Sequence, residues 1–157
     1  AVAAIRDAVP AASVTTDVIC GFPGESDGMF TETFEVCEEV GFANMHVFPY
    51  SKRPGTSAAH FGSQLDSDTK RYRVTKLMEL ATRQTKVFKQ GLVGQTRPVL
   101  WERGHQNRDK RIGRWAGFTD NYVRVSTNNP ENLANEITDV VLVACNRDVM
   151  QGRVVED

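Results

Sequence analysis

Cysteine and histidine are scarce in this chain, with three of each in 157 residues. Cys20, Cys37 and Cys145 stand at spacings that fit no zinc or iron–sulfur ligand pattern. An odd cysteine count without a secretory signal argues against a disulfide framework and points to a reducing, cytoplasmic setting outside the secretory pathway. Long apolar runs are also missing, which excludes a membrane-spanning helix. No histidine lies near Cys20 to activate a thiol, so Cys20 and Cys37 read as buried sulfurs on apolar patterns rather than nucleophiles. No acid/base pair or triad is visible, which argues against a plain metabolic α/β enzyme. Repeats and low-complexity tracts are absent.

What is present is ordinary for a globular chain: 40% hydrophobic and 25% charged residues, enough for one domain or two small ones. The chain opens on Ala1, with Val2, Ile5 and Val9 at helical spacing before Pro10. This reads as the end of a helix, and the chain is expected to be a fragment. The net charge of -1 conceals a segregation. Residues 1–65 carry three Lys/Arg against eight Asp/Glu, residues 66–115 thirteen against five, and residues 116–157 three against seven. A basic middle between acidic flanks predicts contact with a polyanion.

The most informative stretch is Thr16-Asp17-Val18-Ile19-Cys20-Gly21-Phe22-Pro23-Gly24-Glu25. Residues 14–19 read as a buried strand that runs into a Gly/Pro turn. Ser26 is suited to N-cap the helix that follows, with Phe30, Phe34, Cys37 and Val40 at helical spacing and Gly41 as its stop. Glycines bring backbone close to a ligand, and N–H groups at a helix start favour a carboxylate or phosphate. Glu25, the one charged side chain of the turn, can hold an amine or hydroxyl instead. The turn is not a Walker phosphate loop, since Glu25 and Ser26 follow Gly24. Residues 44–48 read as a second strand, parallel to the first because a helix connects them. The Pro49-Tyr50-Ser51-Lys52-Arg53-Pro54-Gly55-Thr56 loop then falls on the same rim. There Tyr50 can stack on a base and Arg53 can pair with phosphate or carboxylate. His46 reads as an ordinary strand residue.

Residues 57–65 read as irregular, followed by a long amphipathic helix from Asp66 or Ser67 to Gly91 and Gly94. Its apolar stripe is Val74, Leu77, Leu80, Ala81 and Phe88. Lys70, Arg71, Arg73, Lys76, Arg83, Lys86 and Lys89 are expected on the remaining surface. From Gln95 the pattern changes to short β-rich runs at 97–102, 111–119, 122–126, 136–143 and 152–155, the count of a small Greek-key or OB-like barrel. Turn chemistry stands at Asn107, Arg108 and Asp109 and at Asn128, Asn129 and Pro130. Such barrels bind single-stranded nucleic acid through a basic groove and aromatic platforms. Arg97, Lys110, Arg111, Arg114 and Arg124 supply cations, and Phe118 and Tyr122 supply rings. Trp101 and Trp115 are expected to fill the interior. The reading is thus α/β, residues 1–93, followed by a small β-barrel, residues 94–157.

Three stretches together resemble the radical S-adenosylmethionine (SAM) methylthiotransferases. They are 16–25, 46–56 (His46-Val47-Phe48-Pro49-Tyr50-Ser51-Lys52-Arg53-Pro54-Gly55-Thr56) and 117–125 (Gly117-Phe118-Thr119-Asp120-Asn121-Tyr122-Val123-Arg124-Val125). The resemblance covers nearly the whole chain. It implies the C-terminal part of a (β/α) radical SAM partial barrel followed by a tRNA-binding TRAM barrel. The wording of 46–51 and 119–123 is most similar to the branch that methylthiolates threonylcarbamoyl-adenosine beside the tRNA anticodon. The isopentenyl-adenosine branch and the branch acting on a ribosomal-protein aspartate usually read differently. By the same resemblance Gly21, Phe22, Pro23, Gly24 and Glu25 contact SAM, with Glu25 helping to hold its amino-acid end. Phe48, Tyr50 and Ser51 lie near its adenosine. Arg53 and Thr56 face the substrate nucleoside, and Phe118, Asn121, Tyr122 and Arg124 lie toward tRNA; from the barrel's own cations, Arg97, Arg111 and Arg114 are expected on the tRNA side as well. The family's six cluster cysteines, which hold its 4Fe-4S clusters, are not in this sequence. The implied enzyme is therefore the parent protein, and this chain alone is expected not to cleave SAM. A non-catalytic RNA-binding module is the alternative.

Overall fold

The structure, a computed structural model, describes residues 1–106, 113–146 and 149–155; for residues 103, 105 and 106 it describes the backbone alone. Arg111, with Lys110 and the 107–109 turn, lies outside the described residues. Packing divides the chain into two compact units, Ala1–Val2 with Val14–Thr85, and Ala3–Ser13 with Lys86–Asp157. The glycines at 91 and 94 suggested a division at 93/94. The packing division falls earlier because Phe88 and Leu92 already belong to the second unit's core.

In the first unit, β1 (Thr15–Cys20), α2 (Asp27–Val40) and β2 (Asn44–Pro49) form the expected βαβ element, preceded in the chain by α1 (Val2–Ala8). The strands pair in parallel from Thr15↔Asn44 to Cys20↔Pro49. Ser26 caps α2, its hydroxyl accepting the Met29 N–H at 3.2 Å, which satisfies a donor that the first helical turn leaves unpaired. Gly41 ends the helix at φ 63°, a left-handed conformation that costs glycine little. After a short 3-10 turn (Ser57–His60), α3 (Ser67–Gly91) begins. Its start is fixed by Asp66, whose carboxylate accepts the N–H groups of Asp68 and Thr69. Val18, Cys20, Met45 and Val47 on one sheet face meet Phe30, Phe34 and Cys37 of α2 and Val74, Leu77, Leu80 and Ala81 of α3. The opposite face presents Ile19 and Phe48, which are register partners and both exposed.

The second unit holds β3 (Thr96–Gln106), β4 (Gly113–Thr119), β5 (Arg124–Asn129), β6 (Ile137–Asn146) and β7 (Val149–Val154), closed in the order β3-β4-β5-β7-β6. The chain is therefore mixed α/β with a closed five-stranded barrel, as the strand count anticipated. All pairs are antiparallel except β5 with β7. Val99, Trp101, Trp115, Val125, Val140, Leu142 and Met150 fill the interior, both tryptophans included. Trp101 donates its indole N–H to Thr138 Oγ1 at 2.9 Å, so its one polar atom is satisfied inside. β5 begins at Arg124 rather than Tyr122. Thr119 closes a tight turn first: its N–H donates to Val123 O, its hydroxyl oxygen accepts the Val123 N–H at 2.9 Å, and Tyr122 sits at φ 61°.

Gly117 shows how tightly β3 and β4 approach. A Cβ there would land on the Leu100 carbonyl oxygen, a backbone atom that no rotamer change can move aside. Gly117→Ala is expected to lower stability by about 2 kcal/mol. Urea unfolding followed by tryptophan fluorescence checks this, since both tryptophans lie in the barrel core. An unchanged midpoint would contradict the packing described.

Candidate cofactor rim and nucleic-acid face

The parallel register makes β1 and β2 end side by side. The Tyr50 N–H donates to Cys20 O at 2.8 Å, and the Phe22 and Tyr50 rings meet edge to face with centroids 5.2 Å apart. Phe61, just after the 3-10 turn, adds a second edge contact to Phe22 at 6.2 Å. The 21–25 turn and the 50–56 loop thus share one rim, as their positions in the sequence anticipated. Phe22 and Phe48 are exposed there, whereas Pro23 is buried. The Tyr50 hydroxyl is buried and, among the described residues, has no hydrogen-bond partner. A buried hydroxyl without a partner is costly.

Backbone geometry, not free donors, shapes the turn. Gly21 and Gly24 lie at φ 76° and 84°, where a side chain would be strained. A Cβ on Gly21 would also strike the Lys70 side-chain stem. Three N–H groups of the turn itself are taken up within the chain. Gly21 N–H donates to Glu25 Oε2 at 2.7 Å, Gly24 N–H to Ser63 O at 2.8 Å and Glu25 N–H to Phe22 O at 2.9 Å.

The residue that the sequence reading missed is Arg73. It was placed among the surface cations of α3, yet only 3% of it is exposed. Its Nη1 donates to the Glu25 carbonyl oxygen at 2.9 Å and to Glu25 Oε2, and its Nη2 donates to Asp27 Oδ1 at 2.7 Å. The guanidinium also lies over the Phe30 ring, 5.2 Å from its centroid. Burial alone would lower the Arg73 pKa; its bonds to Asp27 and Glu25 outweigh burial and hold it above the ordinary value. Asp27 is fully exposed and adds little, so the strong partner is Glu25, whose side chain is 12% exposed. Removing either member of such a pair strands the other, at a cost of about 3 kcal/mol or more. The signal was in the spacing, since Arg73 stands four residues before Leu77 and so lies on the apolar stripe.

Three cations of the basic middle form exposed ion pairs within the chain. Arg71 pairs with Asp68, Lys76 with Glu79, and Arg83 with Glu38. On the barrel, Arg97 forks onto both carboxylate oxygens of Asp120 at 2.8 Å. Asn121, expected toward RNA, turns inward: it accepts from the Thr119 hydroxyl and donates to Ala11 O at 2.9 Å. Arg114 and Arg124 are exposed on the outer face. Phe118 is the register partner of Arg124, and its ring lies 6.4 Å from that of Tyr122, which is 85% exposed. Arg53 and Ser51 are exposed, and the Thr56 hydroxyl donates to Arg53 O at 2.9 Å.

Cys20 and Cys37 are buried and desolvation raises both pKa values, with the Glu25 charge adding to the effect at Cys20. Among the described residues no group of three or more His, Cys, Asp or Glu is placed to hold a metal ion, and no helix is long and apolar enough to cross a membrane.

Fold and rim together define a class: a parallel βαβ unit with an open, glycine-shaped turn, on one chain with a closed OB-like barrel. No protein-family model matches the chain. Among curated proteins, the threonylcarbamoyladenosine tRNA methylthiotransferase MtaB of Bacillus subtilis (strain 168) is 34% identical over 156 residues, covering 98% of this chain and 34% of that protein. The tRNA-2-methylthio-N(6)-dimethylallyladenosine synthase of Ehrlichia ruminantium (strain Welgevonden) is 34% identical over 138 residues, covering 88% of this chain and 31% of that protein. The synthase of the same name from Thermobifida fusca (strain YX) is 42% identical over 113 residues, covering 72% and 23%. The chain belongs to the radical SAM methylthiotransferase family and spans about a third or less of the length of these relatives.

Iodoacetamide at pH 8 is expected to alkylate Cys20 and Cys37 at least about tenfold more slowly in the folded protein than in urea, because burial suppresses the thiolate. Equal rates, resolved by peptide mass spectrometry, would show that these thiols are not packed as described.

Proposed function

We propose that this chain is the cofactor-rim and tRNA-gripping part of an enzyme that methylthiolates threonylcarbamoyl-adenosine beside the tRNA anticodon. On this reading residues 1–93 are the C-terminal part of the radical SAM domain and residues 94–157 the TRAM-like barrel. The observation that carries it is the shared rim: Tyr50 bonded to Cys20 O beside the 21–25 turn, whose two glycines stand at positive φ. That rim suits a nucleoside cofactor. Phe22, Tyr50 and Phe48 offer rings to an adenine, the exposed Gly24 allows close approach, and the exposed Ser51 offers a polar contact to a ribose. When bound, SAM supplies the 5′-deoxyadenosyl group for hydrogen abstraction and the methyl group. The 4Fe-4S clusters would have to be held elsewhere in the parent protein, and no step through them is assigned to this chain.

Arg53 and Thr56 extend the rim toward the substrate base. On the barrel, Arg114 and Arg124 neutralise phosphates, and Phe118 and Tyr122 give unpaired bases a ring to stack on. Arg97 supports this face through Asp120. The wording of residues 46–51 and 119–123 supports the threonylcarbamoyl branch, and the Bacillus subtilis relative carries that substrate in its name. The Ehrlichia and Thermobifida relatives named for dimethylallyladenosine make that nucleoside the second reading.

Deleting the gene and analysing digested tRNA by mass spectrometry separates the two. Loss of the methylthio form of threonylcarbamoyl-adenosine is expected; loss of the dimethylallyl form instead would transfer the chain to the second reading. For the barrel, Arg114→Ala with Arg124→Ala in the full-length protein is expected to reduce the slope of log affinity for tRNA against log salt by about 2. An unchanged slope would remove these two residues from the RNA face.

A further inference from the structure

We propose that Glu25 does not meet the cofactor's amino group but acts through Arg73 as a positioning residue that fixes the shape of the glycine turn. This rests on the reading of the rim as a SAM site and reassigns one residue within it. Oε2 of Glu25 accepts two donors, the Gly21 N–H at 2.7 Å and Arg73 Nη1, which fills about two of the carboxylate's four or so lone-pair sites and fixes the orientation of the side chain. The same guanidinium nitrogen bonds the Glu25 carbonyl oxygen, so one cation holds the residue by both its side chain and its backbone. The other arm reaches Asp27 in the first turn of α2. Gly21 opens the turn and Glu25 closes it, so these bonds span its whole length and tie it to α3.

An ammonium brought to this carboxylate would meet a charge already neutralised and would face the Arg73 cation at close range. The turn therefore contributes a fixed surface, and its acid supplies rigidity rather than charge. Lys70 adds to this from the same helix, with its stem packed where a Gly21 Cβ would stand.

Two ligands distinguish positioning from direct contact. S-Adenosylhomocysteine carries the amino-acid group, whereas 5′-methylthioadenosine has the same nucleoside and thioether without it. Calorimetric Kd values are measured for both on the full-length protein and on Glu25→Gln and Arg73→Lys, with hydrogen exchange of the 18–26 peptide followed in the absence of ligand. The proposal expects each substitution to weaken both ligands by the same factor, about tenfold, and to speed exchange across 18–26. Arg73→Lys keeps the charge and guards against a variant that merely unfolds. If Glu25→Gln weakens S-adenosylhomocysteine alone, Glu25 is the amino group's partner and the proposal is wrong. Unchanged exchange in both variants would equally overturn it. If the unaltered protein binds neither ligand, the SAM reading of the rim fails, while the exchange measurement still decides whether Arg73 and Glu25 hold the turn.

Discussion

The constraint on which the first unit depends is the parallel pairing of β1 with β2. Two strands joined by a crossover helix can share a sheet only if they run the same way, and then their C-terminal ends lie together. Everything placed at the rim follows from that register: the Tyr50 N–H on Cys20 O, the edge contact of Phe22 with Tyr50, and the meeting of a glycine turn with an aromatic loop. The helices cover the face that carries Cys20 and Met45 and leave Ile19 and Phe48 on the other. A sheet face of this kind lines the interior when strands of a (β/α) barrel close around it, in keeping with the proposed origin of the unit.

The second unit solves a different problem. Five short strands close only if the backbones approach closely at some points and the interior is filled at others. Gly117 gives the close approach between β3 and β4, while Trp101 and Trp115 fill the volume. The turn at 119–123 then sorts its residues by chemistry. Thr119 and Asn121 bond inward, and the left-handed conformation at Tyr122 accompanies a ring left in solvent beside Phe118. An exposed ring next to outward arginines is a surface that can engage bases and phosphates together.

Much of this was legible in the sequence because it depends on local rules. The Ser26 cap, the Gly41 stop, the α2 stripe and the alternation of the barrel strands each need only neighbours in the chain. Arg73 was not legible in the same way. A cation among cations on a long helix reads as solvent-facing, and its partners Glu25 and Asp27 come from a turn 48 and 46 residues earlier. Only its register with Leu77 hinted at burial. The bonds of Asn121 and Arg97 were not legible in the sequence for a related reason. Their partners, Ala11 and Asp120, are brought close by the fold, so side chains chosen for their polarity proved to be internal ties.

The central claim is that the rim formed by the two strand ends is where a nucleoside cofactor sits. Photolabelling of the full-length protein with 8-azido-S-adenosylmethionine tests it most directly. The account expects the adduct on peptides containing Phe22 or Tyr50, reduced by excess S-adenosylhomocysteine. Labelling confined to the barrel, with neither of those peptides modified, would contradict it.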